Sequence, residues 1–200
     1  MNKHAFKLLG LIILLSTLIM CGCNKKNKNI YEDAVAIEEQ NNVRKDAVPV
    51  ENLKNVPQDA VRGDFDGDGK IDNVWVDAEF LDDYAITPLR LKSDNPVLNG
   101  LTWQKGLMGV TLVNLGDLNG SNRDFLGAIP YGMSTWCNFE TYAFKDGTWR
   151  EVIDRFLIWE GDENHQRVYR GDNPGTVYIL YNNLDGEDFD THQKQVTLKF

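Results

Sequence analysis

Apolar positions from about residue 58 onward fall in short runs, each bounded by Asp, Asn, Gly or Pro. Val74–Phe80, Ala85–Leu91 and Val110–Asn114 are rich in β-branched and aromatic residues, which predicts strands. Phe139–Lys145 and Trp149–Ile153 flank Asp146-Gly147, a hairpin signal. Phe156–Trp159 reads as an aromatic strand and Val177–Tyr181 as a continuously apolar one. Val196, Leu198 and Phe200 alternate with Thr197 and Lys199, the period of a half-buried strand tied into a sheet. The expected fold is all-β, with antiparallel sheets packed together.

The regions upstream lack this pattern. Met1 to Cys23 has a positive start at Lys3 and Lys7 and an apolar run from Leu8 to Met20, too short for a membrane span. Residues 24–57 begin Asn-Lys-Lys-Asn-Lys-Asn29, show no persistent helical stripe and contain Pro49 and Pro57. They read as a tether, largely disordered, ahead of a β-rich domain at 58–200, which is long enough to bury a core.

The most informative stretch opens that domain: Gly63-Asp-Phe-Asp-Gly-Asp-Gly-Lys-Ile-Asp72. Asp64, Asp66 and Asp68 alternate, Asp72 follows, and Gly67 and Gly69 lie between. Carboxylates so spaced in a tight loop aim their oxygens at one point, and a hard cation such as Ca²⁺, which takes 6–8 oxygen ligands, relieves the repulsion. The candidate ligands are Asp64, Asp66, Asp68 and Asp72 with the Lys70 backbone carbonyl. An EF-hand opens the same way but needs a Glu at its twelfth position, where this chain has Trp75. The bland alternative is an acidic turn without an ion.

The stretch resembles the calcium loop of FG-GAP/VCBS repeats, the family of integrin α-chain propellers and many bacterial surface proteins. The resemblance covers residues 63–76 and implies a loop between strands of a propeller blade, with a mostly structural ion. Leu115-Gly-Asp-Leu-Asn-Gly-Ser-Asn-Arg-Asp124 echoes it: Asp117 lies 53 residues after Asp64, with Asn119 and Ser121 matching Asp66 and Asp68. Asn122 replaces Gly69, and Asp124 comes one residue before the position of Asp72. Asp117, Asn119, Ser121 and Asp124 are therefore a candidate second ion loop, or a hydrogen-bonded turn that keeps the repeat's shape. Tyr169-Arg-Gly-Asp-Asn173 is a fainter third echo without the carboxylate series. Two or three repeats cannot close a propeller ring, so the expectation is an incomplete propeller-like or sandwich-like domain.

The N-terminus resembles a bacterial lipoprotein signal. Gly22 before Cys23 suits lipidation at Cys23; Cys21, with Leu18 three residues before it, is the alternative. The resemblance implies anchoring to the cell envelope, at the outer membrane or cell surface. Loss of Lys3 and Lys7 with the signal lowers the formal charge of −9 by two, to −11. An acidic chain of this kind does not suit nucleic acid, because phosphate repels it. Two of three cysteines fall in the signal, so no disulfide framework exists, and Cys137 beside Trp136 and Phe139 reads as a buried small hydrophobe.

Candidate catalytic chemistry is thin. Glu160, Asp162, Glu187 and Asp188 fall in two acidic clusters, and with Trp136, Trp149 or Trp159 as stacking faces they suggest an envelope enzyme acting on glycans. Acidic β-connections are ordinarily solvated, and Trp in a small β domain is ordinarily core. His165 and His192 show no ligand spacing. Gly106 to Gly109 is followed by no Lys-Ser/Thr, and no Gly-x-Ser-x-Gly elbow occurs. Ile129–Phe139 reads either as a recognition loop or as a core crossover. The reading is a non-catalytic, calcium-stabilised lipoprotein module whose ligand is an envelope protein or glycan, with the glycan-acting enzyme as its alternative.

Overall fold

The computed structural model describes residues 56–159, 164–184 and 190–200, all within one compact unit, Ala47–Phe200. The expected signal segment 1–23 and tether 24–57, residues 56 and 57 excepted, lie outside the described residues. Among the described residues there is no α-helix, and no helix long and apolar enough to cross a membrane.

The fold is all-β and its sheets are antiparallel. The first contains β1 (Val61–Gly63), β2 (Asp72–Asp77), β5 (Leu89–Ser93) and β6 (Thr102–Trp103), in that order; β3 (Phe80–Leu81) and β4 (Tyr84–Ala85) form a separate small hairpin. The second is a meander of β7 (Gly109–Gly116), β8 (Phe125–Tyr131), β9 (Trp136–Lys145) and β10 (Thr148–Glu151), with β11 (Phe156–Trp159) also on β9. The third contains β12 (Val168–Arg170), β13 (Thr176–Asn182) and β14 (Thr191–Thr197). Each sheet opens with a hairpin whose connection is one of the three sequence echoes: residues 64–71, 117–124 and 171–175.

The second sheet lies between the other two and is buried on both faces. Along β9, Cys137, Phe139 and Ala143 join a core with Phe125 and Ile129 of β8 and Val168, Val177 and Ile179 of the third sheet. The intervening Tyr142 and Phe144, with Leu126 and Ala128, join a second core with Val74, Leu89, Leu91 and Trp103 of the first sheet. Strand alternation sends neighbours to opposite faces, so one strand serves both cores. A fully buried Glu140 sits in the second. Its carboxylate accepts hydrogen bonds from Trp103 Nε1 at 2.8 Å and the Tyr142 hydroxyl at 2.6 Å, and pairs with Arg155 at 2.8 Å. A buried charge must be paired and hydrogen-bonded to persist, and this one ties the first sheet to the second.

Four expectations are corrected. The strand foreseen over Val74–Phe80 ends at Asp77. The one foreseen over Ala85–Leu91 is broken before Leu89, where Pro88 has no N–H to donate. At the C-terminus pairing stops at Thr197; Leu198 and Lys199 then donate to Gly175 O at 2.9 Å and Val152 O at 2.8 Å. The end is thus tied in, although Phe200 is 58 % exposed. Finally, the central strand β8 was not foreseen. The segment Ile129–Phe139 is the end of β8, a connection and the start of β9, so it is core at both ends, with Met133 exposed between them.

The first two sheets meet at Gly63. A β-carbon there would stand 2.6 Å from Asn114 Nδ2 and 2.8 Å from Asp124 Oδ2. Gly63→Ala is therefore expected to cost about 1–3 kcal/mol by overpacking, read as a lower urea midpoint at unchanged slope.

Candidate metal centre

The loop between β1 and β2 winds around Asp64. This buried carboxylate accepts the amides of Gly67 (2.9 Å) and Gly69 (3.0 Å), drawing the chain into a tight coil. Gly67 takes φ +79°, a left-handed conformation that costs glycine little. Phe65 turns inward, fully buried, with its ring 6.0 Å from that of Trp149. Asp66 accepts the Asp68 amide at 3.1 Å, and Asp72, where β2 starts, accepts the Phe65 amide at 3.2 Å.

This coil brings Asp64, Asp66 and Asp72 together, with one oxygen of each within 4.8 Å of the others, close enough to hold a metal ion. The nearby Lys70 ammonium pairs with Asp68 and acts on Asp66 and Asp72 only through its field. The donors are all carboxylate oxygens, the set that suits Mg²⁺, Ca²⁺ or Mn²⁺ and not a soft metal. The residues present fit a hard divalent cation. Asp68 stands outside the group, with its carboxylate 2.8 Å from the Lys70 ammonium in an exposed pair. That ammonium holds the Asp68 carboxyl below its ordinary range, and the Lys70 ammonium is raised in turn.

Crowding is visible in the acidities. Burial, with the negative charges of Asp66 and Asp68, pushes Asp72 up to about 6. Burial likewise raises Asp64, opposed by its two amide bonds and reinforced by Asp66 and Asp124.

Asn95, which the sequence did not single out, completes the constellation. Its amide Nδ2 donates to Asp66 Oδ2 and to Asp72 Oδ1, both at 2.9 Å. Asn95 is delivered by the end of β5, where Asp94 accepts the Asn73 amide at 2.8 Å and the Ser93 hydroxyl donates to Asn73 O at 2.8 Å. Signals for its role were present only as a polar Ser-Asp-Asn-Pro cluster; its partners are 23 and 29 residues away.

The second loop repeats the first in backbone and not in charge. Asp117 accepts the Gly120 and Asn122 amides at 2.7 and 2.8 Å, as Asp64 accepts those of Gly67 and Gly69, and Asn119 accepts the Ser121 amide at 3.1 Å. Asn122 takes φ +57°, the left-handed state that Gly69 occupies at +86°. Asp124 faces elsewhere: it accepts the Asp64 amide at 3.0 Å and Asn114 Nδ2 at 3.0 Å, while its own amide donates to Asp64 O at 2.8 Å. Asp117, Asn119, Ser121 and Asp124 thus form a hydrogen-bonded turn, and Asp124 braces the first loop. In the third echo Asp172 accepts the Tyr178 hydroxyl.

Of the residues named for glycan chemistry, Glu160, Asp162, Glu187 and Asp188 lie outside the described residues. Trp149 packs between Phe65 and Phe144 and donates to Leu98 O at 2.6 Å, a core role. Trp136 and Trp159 are half-buried cross-strand neighbours. His165 is exposed, and His192 lies against Tyr181 with rings 5.6 Å apart. Cys137 is buried in the core, as its neighbours implied.

A pH dependence follows. Without a cation, folded Asp72 keeps its proton up to about pH 6, whereas the unfolded chain releases it near 3.8. Between these values the folded state binds more protons, so its stability falls as pH rises. Metal-stripped protein is expected to melt at progressively lower temperature from pH 4 to pH 6, and Asp72→Asn is expected to flatten that trend. Saturating divalent cation favours the ionised form and is expected to reverse it. Scanning calorimetry across this range is the check. Compared with family models, with curated proteins and with solved structures, the chain matches none.

Proposed function

We propose that the β domain is a calcium-stabilised, non-catalytic binding module, moored to a bacterial envelope membrane through a lipid on Cys23, with Cys21 as the alternative. Its ligand is an envelope protein or glycan. The observation that carries the reading is the convergence of Asp64, Asp66 and Asp72 in a strand-to-strand loop, three carboxylates against the one ammonium of Lys70, whose exposed partner is Asp68. Ca²⁺ is favoured over Mg²⁺ because the loop offers several protein oxygens to one point, the ligand set that Ca²⁺ takes, whereas Mg²⁺ demands near-octahedral geometry and keeps several waters. The Lys70 carbonyl and Asp68, once released from its exposed ammonium partner, complete the set. The likeness of residues 63–76 to FG-GAP/VCBS loops supports the same reading, and so does the repetition of hairpin and loop at the start of each sheet.

The lipid anchor rests on the sequence alone: a basic start, a short apolar run, a small residue before cysteine, and a polar stretch after it. No observation among the described residues favours the enzyme over the binding module.

Calcium bound only by the native state adds RT ln(1 + [L]/Kd), about 2.7 kcal/mol at a hundredfold excess over Kd. EGTA is thus expected to lower the melting temperature of the calcium-loaded domain by several degrees. Asp72→Ala is expected to abolish that response, and Asp68→Ala to reduce it less, since Asp68 lies outside the cluster. A melting curve indifferent to both Ca²⁺ and EGTA would sink the cation reading. In the full chain, Cys23→Ala is expected to move the protein from the membrane fraction to the soluble one; persistent membrane partitioning with Cys21 also replaced would remove the lipid anchor.

A further inference from the structure

The two carboxylates that close the loop come from its middle and its far end, and one neutral group reaches both. The Asn95 amide donates one proton to Asp66 Oδ2 and the other to Asp72 Oδ1, each at 2.9 Å. An amide has two such protons and a carboxylate oxygen has further lone pairs, so this bridge leaves both carboxylates able to face an ion. The other end of the same side chain is also occupied. Asn95 Oδ1 accepts the Val97 amide at 3.2 Å and caps a single 3-10 turn, Pro96–Leu98. The last carbonyl of that turn, on Leu98, accepts the indole N–H of Trp149 at 2.6 Å. Trp149 in turn packs on Phe65, which belongs to the acidic loop itself. A closed path therefore runs from the carboxylates through Asn95 and the turn to one tryptophan, and back through Phe65 to the loop.

We infer that Asn95 is the positioning residue of the cation site: it holds Asp66 and Asp72 converged before the ion arrives and carries the ion's arrival to Trp149. The inference rests on the cation reading above. Two acids so close would swing apart if nothing bridged them, and the ion would then have to gather them at an entropic cost. Hydrogen-bond partners behind metal ligands typically contribute 10–100-fold in affinity. Asn95 is one such partner, yet it lies in the β5–β6 connection and not in the loop, so it also joins the loop to the far half of the first sheet. When the ion draws electron density from Asp66 and Asp72, their bonds to the amide lengthen or reorient. The turn and the Trp149 contact move with them.

The test uses metal-stripped protein, CaCl₂ as the only added ligand, titration calorimetry and tryptophan emission. Wild type is expected to bind Ca²⁺ with a change in emission, and Trp149→Phe to lose that change while binding persists. Asn95→Ala is expected to bind about 10–100-fold more weakly. Asn95→Ser separates positioning from capping. Serine is a good cap, but its single hydroxyl proton can serve only one carboxylate. It is expected to melt near wild type in EGTA while its calcium-induced rise in melting temperature shrinks. A merely structural role would lower the melting temperature equally with and without Ca²⁺. Folded Asn95→Ser and Asn95→Ala proteins with Kd within twofold of wild type would overturn the inference and leave the cation reading standing. Absence of Ca²⁺ binding in wild type would remove both.

Discussion

Mutual repulsion of three carboxylates is the constraint around which the first sheet is organised. Asp64, Asp66 and Asp72 bring an oxygen each to within 4.8 Å. Like charges about 4 Å apart at a partly buried site repel by several kcal/mol, a large share of the 5–15 kcal/mol that holds a domain together. The fold answers with neutral donors. The amides of Phe65, Gly67, Gly69 and Asp68, with the Asn95 side chain, all point at these oxygens. Burial first, and then the negative charges of Asp66 and Asp68, still raise the pKa of Asp72 to about 6 against the pull of the Asn95 and Phe65 donors, so the answer is incomplete.

The loop is also where the first two sheets are joined. Asp64 and Asp124 exchange two hydrogen bonds, amide to carbonyl and amide to carboxylate, beside a Gly63 that has room for no side chain. A few residues away Phe65 enters the core that the first sheet shares with the second. Ion site, sheet junction and core are thus built from consecutive residues. Phe65 shares that core with Val74, Leu91, Tyr142 and Phe144. Glu140 secures the same interface further along, through Trp103 and Arg155.

How much of this the sequence discloses depends on the range of each interaction. Alternating aspartates with interposed glycines are a local signal, and they pointed to the loop and to all three converging carboxylates, along with Asp68, which stands outside the group. Strands with one wet face alternate legibly. The strand β8, Phe125–Tyr131, does not, because both its faces are buried and the run reads as apolar without a period. Gly127 and Pro130 disguised it further. Gly127 is required because Phe139 lies 2.7 Å from where its β-carbon would be. Pro130 is tolerated because β8 pairs with β9 only over Leu126–Ala128, so no second partner awaits its missing N–H. Asn95 was illegible for a simpler reason: only the pairing of β5 with β2 brings it to the loop, and nothing local announces that.

The two loops separate shape from charge. Both coil around a leading aspartate that accepts the amides three and five residues on, and both place a large apolar side chain inward, Phe65 or Leu118. The second achieves this with one carboxylate. Asn119 stands where the first has Asp66, Phe125 where it has Asp72, and Asp117 is satisfied by backbone amides including those of Asn119 and Ser121. The shape of the coil is thus common to both loops and follows the amides that the leading aspartate accepts. The first loop carries three acids beyond that leading aspartate, Asp66, Asp68 and Asp72; Lys70 pairs with Asp68, and Asn95 gathers the other two. Charge in excess of what the backbone can neutralise, fixed at one point, is the physical condition for a cation site. It is met at Asp66 and Asp72 and not at their counterparts 53 residues later.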